Sequence, residues 1–244
     1  MLAALGWPQG PRMSRVNDHG QPIGEAVAWT TCPPVAPVVL EGRTVRLEPL
    51  AERHADDLAA AFLGHPEIWT YGPYGPYADR EGIASYVATL LGVTSHVPFV
   101  VVVEGRAVGV ECLMRIDPAN GVVEVGAIVL GPALQRTTAS TEASYLLARH
   151  VFDDLGYRRY EWKCDSLNAA SRAAAARLGF TYEGRFRQAL VYKGRNRDTD
   201  WFSITDAEWP AVRAGFEAWL DPANHGPDGQ LARLEDLRAR AAAG

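Results

Sequence analysis

The sequence predicts a mixed α/β fold, in which a central and mostly antiparallel sheet is flanked by helices. Three patterns predict it. Apolar and polar side chains alternate over residues 44–48, which is the period of a half-buried strand. Three strand-like runs separated by turn residues lie between residues 99 and 130 and indicate an antiparallel meander. Apolar residues at helical spacing then cover residues 143–155 and stop at Gly156, where a helix-ending glycine belongs.

The other elements are predicted from the same strand and helix periods and from residues that start or stop helices. Asp79 precedes one helical pattern as a cap, and Gly179 follows another as a stop. The predicted elements are a helix over residues 52–63, a helix over 79–91, a strand over 160–165, a helix over 168–178, a strand pair over 182–192 and 200–204, and a helix from 206. This order of strands and helices favours a mixed sheet that is covered by helices.

One core with extended ends is expected, because 244 residues are too few for two full-sized domains. Residues 1–40 hold six prolines and show no apolar periodicity, which predicts an extended arm. The core is expected over residues 41–210. Residues 211–244 are expected to form a helical extension.

Composition predicts a packed, cytoplasmic protein. Hydrophobic residues make up 48% and charged residues 22% of the chain, as in average globular proteins. The longest apolar stretch, residues 97–103, is far shorter than a membrane helix, and the chain start lacks the basic region of a secretory signal. No His, Cys or Asp cluster has ligand spacing, so no metal is expected. The cysteines form no C-x-x-C pair and are expected to be packed thiols: Cys32, Cys112 and Cys164.

Charge is unevenly distributed along the chain. The net charge of -5 argues against general nucleic-acid binding, and no membrane partner is expected. Residues 156–197 nevertheless carry ten Lys and Arg against three Asp and Glu. This basic region is either a solvated cationic face or a docking site for a polyanionic small molecule.

The segment 130–142 is the most informative for chemistry. It is a strand end followed by a polar turn that opens the long helix, and a helix N-terminus offers unpaired N–H groups to an anion. Four side chains of the turn carry hydroxyl groups that could add donors: Thr137, Thr138, Ser140 and Thr141. A plain helix cap is the alternative interpretation of the same residues.

Several short motifs in this order resemble the RimJ/RimL-like branch of the GNAT acetyltransferase superfamily over residues 42–209. The motifs are Glu124-Val-Gly126, Gln135-x-x-Thr138-x-Ser140, Thr141-Glu-Ala143, Phe152-Asp-Asp-Leu-Gly156, Asn168-x-x-Ser171, Leu178-Gly-Phe180, Glu183-Gly184, Arg187, and Asp200 through Glu208-Trp209. Residues 17–24 also resemble the start of a largely uncharacterised subgroup. The resemblance implies the GNAT fold, with two splayed central strands, expected here at residues 122–130 and 160–165.

The resemblance also implies acetyl-CoA as co-substrate, held in the gap between the splayed strands. The residues expected to bind it are Ile128, Val129, Leu130, Gln135, Arg136, Thr137, Thr138, Ala139, Ser140, Thr141, Asn168 and Ser171. In the family's loop the positions of Thr138 and Ser140 are small residues, usually glycine. Their side chains either crowd a pyrophosphate or substitute hydroxyl donors for close backbone approach, and retained binding is favoured.

By the same resemblance, Ser171 would protonate the departing thiolate, while an ordinary helix position is the alternative. Glu124 is the predicted base for the amine, with Glu111 and Glu142 as rivals. The acceptor site is expected between the aromatic loop at residues 69–77 and the turn at 192–197. The residues expected to line it are Trp69, Tyr71, Tyr74, Tyr77 and Tyr192.

The expected function is direct transfer of an acetyl group from acetyl-CoA to a primary amine in a ternary complex. The acceptor is either a protein N-terminus or a small-molecule amine, and a homodimer is an open alternative. A non-catalytic acyl-CoA sensor or interaction module, or a transferase of another acyl-CoA, is the rival hypothesis, because fold membership carries no substrate with it.

Overall fold

The computed structural model describes residues 15–226 and 229–243. It divides into two compact units, residues 1–30 and residues 31–244. Residues 1–14 of the predicted arm lie outside the described residues.

The first unit contains a short hairpin, in which β1 (Arg15–Val16) pairs antiparallel with β2 (Pro22–Ile23). Oδ1 of Asn17 closes the turn by accepting from the backbone N–H groups of His19 and Gln21. Strands of two residues are too short to show a period, so the sequence predicted only an extended arm here. The boundary of that arm at residue 40 stays a prediction.

The second unit is built on one eight-stranded sheet. Its strands are β3 (Leu40–Glu41), β4 (Arg46–Pro49), β5 (Val97–Val103), β6 (Arg106–Asp117), β7 (Val122–Leu130), β8 (Arg159–Asp165), β9 (Thr181–Tyr192) and β10 (Arg195–Thr205). Their spatial order is β3-β4-β5-β6-β7-β8-β10-β9. Every pair is antiparallel except β7 and β8, which are parallel. The predicted mixed, mostly antiparallel sheet is confirmed.

The helices lie within a few residues of their predicted positions. They are α1 (Ala55–Phe62), α2 (Arg80–Gly92), α3 (Thr138–Arg149), α4 (Ala169–Leu178), α5 (Trp209–Leu220) and α6 (Leu234–Ala243). A π-helical turn, His150–Asp154, continues α3, and a 3-10 turn, Glu52–His54, precedes α1. A small hairpin of β11 (His225–Gly226) and β12 (Gly229–Gln230) precedes α6. A membrane-crossing helix is not found in the described ranges, because none of their helices combines the required length and apolarity.

The helices divide between the two faces of the sheet. On one face, α1 and α2 bury apolar side chains against β5 and β6, among them Val100, Val110 and Cys112. On the other face, residues of α3, α4 and α5 meet β6, β7 and β8 around a small cavity that includes Val125 and Trp162. Because adjacent strand residues point to opposite faces, this division assigns the side chains of β6 and β7 to a face within each stretch between bulges.

Glu111 lies in the second of these cores, where its neighbours are almost all apolar. It is buried in β6 and lines the small cavity together with Tyr160 and Phe216, and its Oε2 has no hydrogen-bond partner among the described residues. Burial raises the pKa of the Glu111 carboxyl to about 7, because the charged form would be separated from water. The native protein therefore holds a proton that the unfolded chain releases near pH 4.5.

Glu111→Gln is expected to flatten the pH dependence of folding. Because the folded pKa lies above the unfolded one, Glu111 contributes stability that is complete below pH 4.5 and is lost as pH rises through about 7. The loss is on the order of 3 kcal/mol, while a neutral glutamine cannot titrate. Urea unfolding from pH 5 to pH 8.5 would measure this. Wild type should lose stability toward high pH relative to the variant, and parallel curves would contradict the assignment.

Candidate active site

The site begins where β7 and β8 stop pairing. Their parallel ladder runs from Val122↔Arg159 to Val125↔Trp162, and beyond these four pairs the two strands have no register with each other. A bulge in β7 accompanies the separation: the register with β6 shifts at this point, and Ala127 takes a φ of 49°. A bulge bends the strand that carries it. A wedge-shaped gap, as predicted, therefore opens between residues 126–130 and residues 163–165.

A loop, residues 131–137, joins the widening end of β7 to the N-terminus of α3. Thr137 is its cap, and its Oγ1 accepts from the backbone N–H of Ser140. The N–H groups of Thr138 and Ala139 lie in the first turn and have no acceptor within the helix. Together with the helix dipole they offer an anion site beside the gap.

The hydroxyl groups of this turn are mostly engaged within it. Thr137 Oγ1 donates to the Leu134 carbonyl at 2.7 Å, and Ser140 Oγ and Thr141 Oγ1 both donate to the Thr137 carbonyl. Hydroxyl side chains at a helix start bond the nearby backbone readily. These three hydroxyls are thus bonded within the turn, and the donors that are left for an anion are Thr138 and the backbone N–H groups.

Gln135 braces the same turn. Its Nε2 donates to the Leu130 carbonyl at 2.9 Å, so the side chain ties the loop to the end of β7. Arg136 next to it is exposed and takes a φ of 62°, a conformation that L residues adopt only under local constraint. The loop is therefore held in one shape by its own bonds, which is what a preformed binding turn requires.

Asn168 and Ser171 stand at the first turn of α4, across the gap from α3. Asn168 Oδ1 caps the helix by accepting from Ser171 N at 3.0 Å. Ser171 Oγ accepts from Nε1 of Trp162, the last paired residue of β8, so this hydroxyl lies where the gap opens. Ser171 also hydrogen-bonds the Cys164 thiol, whose pKa is raised by burial, which keeps the thiol protonated and poorly nucleophilic.

Glu124 lies on the face of the sheet that α1 and α2 cover, opposite to the face that carries α4 and Ser171. Its cross-strand neighbour is Met114, two residues from Cys112 in that core. The side chain is 5% exposed, and Oε2 bonds Lys163 Nζ at 2.7 Å and Arg115 Nη1 at 2.9 Å. Burial raises the pKa of Glu124, while Lys163 and Arg115 act to lower it.

The two rival carboxylates are placed elsewhere. Glu111 points into the core beneath α3 and α5, on the face away from Glu124. Glu142 accepts from the backbone N–H groups of Arg43 and Thr44, each at 2.7 Å, and so fastens α3 to the β3–β4 turn. Among these three candidates, only Glu124 is on the face where Lys163 flanks the gap.

The aromatic loop and the β9–β10 turn meet on this face. Lys193 Nζ donates to the Trp69 carbonyl at 2.7 Å and Arg195 Nη2 to the Thr70 carbonyl at 2.6 Å. Next to them, the Tyr192 hydroxyl donates to Asp165 Oδ2 at 2.7 Å, at the end of β8. Burial and this bond raise the pKa of Tyr192 to about 12.

Within the aromatic loop, Trp69 is a core residue. It is 2% exposed and makes edge contacts with the rings of Phe62, Tyr77 and Tyr86. This corrects its expected role as a residue that lines the acceptor site, because a buried ring packs beneath the aromatic loop and does not line its surface. Tyr74 and Tyr77 are half-buried and Tyr71 is exposed.

Three residues of this face were not predicted from the sequence as site residues. Lys163 and Asp165 share the face of β8 that bears Glu161, and the alternation of charged residues at 161, 163 and 165 is the signal that could have found them. Tyr86 is fully buried beside Tyr74 and Tyr77, and its hydroxyl has no hydrogen-bond partner in the described part of the chain. Its sequence signal was only that of a core position on α2.

Comparison with known proteins identifies relatives over most of the chain. The Acetyltransferase (GNAT) domain family matches residues 44–181. The structure of a GCN5-related N-acetyltransferase from Brucella melitensis is 44% identical, with a TM-score of 0.84, over 87% of this chain and 99% of that one. A protein described as a probable GNAT-family acetyltransferase, from Chromobacterium violaceum, is 39% identical, with a TM-score of 0.72, over 78% of this chain and 98% of that one.

One curated relative adds a functional description. Over 106 residues the chain is 27% identical to YdaF of Bacillus subtilis, which is named provisionally as a ribosomal N-acetyltransferase. The match covers 43% of this chain and 57% of that relative, so the chain spans little more than half the relative's length.

Proposed function

The chain belongs to the GNAT acetyltransferase family, since the family's domain matches more than half of its length, and we propose that it transfers an acetyl group from acetyl-CoA to a primary amine. The match confirms the predicted family, and the relative named for ribosomal acetylation supports the RimJ/RimL-like branch. Acyl-CoA-dependent acetyl transfer to an amine is the general reaction of the family.

The observation that carries the proposal is the gap between β7 and β8, which opens beside the N-terminus of α3. The edge of β7 at residues 128–130, which β8 does not pair and where Gln135 bonds only the Leu130 carbonyl, suits an extended, amide-containing chain such as pantetheine, because such a chain can pair with a strand edge. The first-turn N–H groups of Thr138 and Ala139 suit a pyrophosphate. A ligand with both features fits this arrangement, and CoA has both.

The proposed chemistry divides between the two faces of the gap. Acetyl-CoA supplies an acetyl group activated as a thioester. The amine nitrogen bonds the acetyl carbon as the C–S bond breaks, and Glu124 receives the amine proton, directly or through water. The Ser171 hydroxyl supplies a proton to the departing sulfur and takes one back from water, to which Glu124 releases the proton that it received. Trp162 Nε1 donates to Ser171 Oγ, which leaves the Ser171 proton to bond Cys164 at rest and the departing sulfur during the reaction. A buried, protonated Cys164 supports direct transfer without an acyl-enzyme.

The acceptor is proposed to enter between the aromatic loop and the β9–β10 turn. A primary amine, on a protein N-terminus or a small molecule, suits a site with the carboxylate Glu124 near its inner end. Incubation with acetyl-CoA and a panel of small amines and N-terminal peptides, with free thiol detected colorimetrically, tests the proposal. Release of CoA that depends on an amine supports it. Thermal stabilisation by CoA without turnover would instead indicate a sensor, and release only from bulkier acyl-CoA another transferase.

Thr138→Glu is expected to abolish acetyl-CoA binding. A carboxylate at the first position of α3 complements the helix dipole and leaves the fold intact, but it repels a pyrophosphate at the same N–H groups. The matched control is Thr138→Gln, which has the same size without the charge. Calorimetry should show binding by the Gln variant and none by the Glu variant. Equal affinity for acetyl-CoA in the two variants would show that the pyrophosphate does not bind at this turn.

Asn168 variants separate capping from ligand binding. Asn168→Ala removes the cap oxygen and should lower stability by about 1 kcal/mol. Asn168→Asp keeps an oxygen that can accept from Ser171 N but loses the amide N–H donor. If that donor holds the pantetheine arm, both variants should raise the KM for acetyl-CoA, about tenfold per 1.4 kcal/mol lost. A wild-type KM in the Asp variant would leave Asn168 as a cap only.

Ser171→Ala is expected mainly to lower kcat, since the thiolate is protonated only as the thioester breaks. General acid catalysis is typically worth about 10²- to 10⁴-fold, and CoA thiol is a good leaving group, which points to the low end. Ser171→Thr retains a hydroxyl for Trp162 and controls for the lost contact. Pre-steady-state kinetics must show that chemistry limits turnover. A wild-type kcat in the Ala variant would then assign Ser171 to packing.

A further inference from the structure

Lys163 is a buried lysine at the narrow end of the gap. It follows Trp162, the last residue of β8 that pairs with β7, and its side chain is only 5% exposed. Nζ lies 2.7 Å from Oε2 of Glu124 and 2.7 Å from Oε2 of Glu161, and 3.7 Å from the centre of the Trp201 ring. A buried ammonium group is costly unless it is paired. The two carboxylates and the Trp201 ring provide this pairing, and their contacts fix the position of Nζ.

These groups belong to a chain of alternating charges on one face of the sheet. Arg159 extends it, with Nε at 2.7 Å from Oε1 of Glu161 and Nη1 at 2.7 Å from Oε1 of Glu183. At the other end, Arg115 bonds Glu124 and is 52% exposed. Three cations thus alternate with three carboxylates, and Lys163 is the most buried of the cations.

We propose that Lys163 is the positioning residue of the acceptor side: it holds Oε2 of Glu124, so that Oε1 is the oxygen presented to the acceptor amine. The proposal rests on the proposed function, in which Glu124 receives the amine proton. It adds how one carboxylate oxygen is selected and how the carboxylate remains available as a base inside the protein.

Gly126 indicates where the other oxygen lies. A Cβ at this position would be 3.0 Å from Glu124 Oε1 and 2.5 Å from the Met114 sulfur. Gly126 is the first residue of β7 beyond the last pair with β8. Oε1 therefore lies over the narrow end of the gap, in a space that a side chain at residue 126 would close.

Charged neighbours act on Glu124 from both strands beside it. Arg115 on β6 and Lys163 on β8 favour its ionised form, and Glu161 on β8 opposes it. The two cations contact the same oxygen at nearly equal distances, 2.9 and 2.7 Å, but differ in exposure, 52% against 5%. Because water screens an exposed charge, Lys163 should have the larger effect on the base.

The experiment compares the acidic limb of the pH profile of kcat/KM in three variants, using acetyl-CoA and the panel amine that is turned over fastest. Lys163→Met should move the limb to higher pH by about one unit or more, since an ion-pair partner is lost. Arg115→Met should move it in the same direction by less. Glu161→Gln should move it to lower pH, because a repelling charge is lost. A purely structural lysine would lower activity equally at every pH.

A second measurement does not depend on turnover. The carboxyl ¹³C signal of Glu124, assigned by its absence in Glu124→Gln, is titrated by NMR in wild type and in each variant. The same three shifts are expected, and Lys163→Arg should restore most of the wild-type titration if Lys163→Met folds poorly. Unchanged Glu124 titration in Lys163→Met, or equal shifts in Lys163→Met and Arg115→Met, would overturn the proposal. Expected titrations without any amine-dependent CoA release would instead count against the proposed function alone.

Discussion

The structure depends on one limit, which is the length of the ladder between β7 and β8: the two strands pair over four residues and then separate. They are the only adjacent strands of the described sheet that run parallel, and α3 must connect them by crossing one face. The bulge at Ala127 bends β7 while its ladder with β6 continues on the other side. Because each separating strand keeps one antiparallel partner, β6 or β10, the gap costs the fold only the few hydrogen bonds between the two strands.

That limit also places the proposed acid and the proposed base on opposite faces of the sheet. Ser171 and the start of α3 are on the side of the helices α3 and α4, whereas Glu124, Lys163 and Asp165 are on the side of the aromatic loop. The proposed reaction requires a proton donor near the departing sulfur and a base near the attacking amine, and these two groups approach the acetyl carbon from opposite sides. Strand alternation supplies this separation without any special device, since neighbouring residues of a strand point to opposite faces.

Much of the fold could be predicted from the sequence, because its signals are local. The alternation at residues 44–48, the meander turns and the cap at Asp79 each depend on a few neighbouring residues. The gap, in contrast, was expected only from the resemblance to the GNAT superfamily. The contacts that separate Glu124 from its rivals are not local. Glu142 is engaged by Arg43 and Thr44, about a hundred residues earlier, and no period in the sequence shows that contact. Trp69 was misplaced for the same reason, since an aromatic in a Pro-rich loop packs in the core or lines a surface according to what lies behind it.

The start of α3 shows how a loop without its usual glycines can still present its backbone. Threonine and serine at residues 138 and 140 would crowd a ligand if their side chains pointed at it. Ser140 instead turns its hydroxyl back to the Thr137 carbonyl, and the Gln135 amide anchors the turn to Leu130. Arg136 adopts the left-handed conformation one residue before the cap. Local side-chain bonds thus take over the shaping of the turn, and the first N–H groups of α3 stay available because the hydroxyls are satisfied elsewhere.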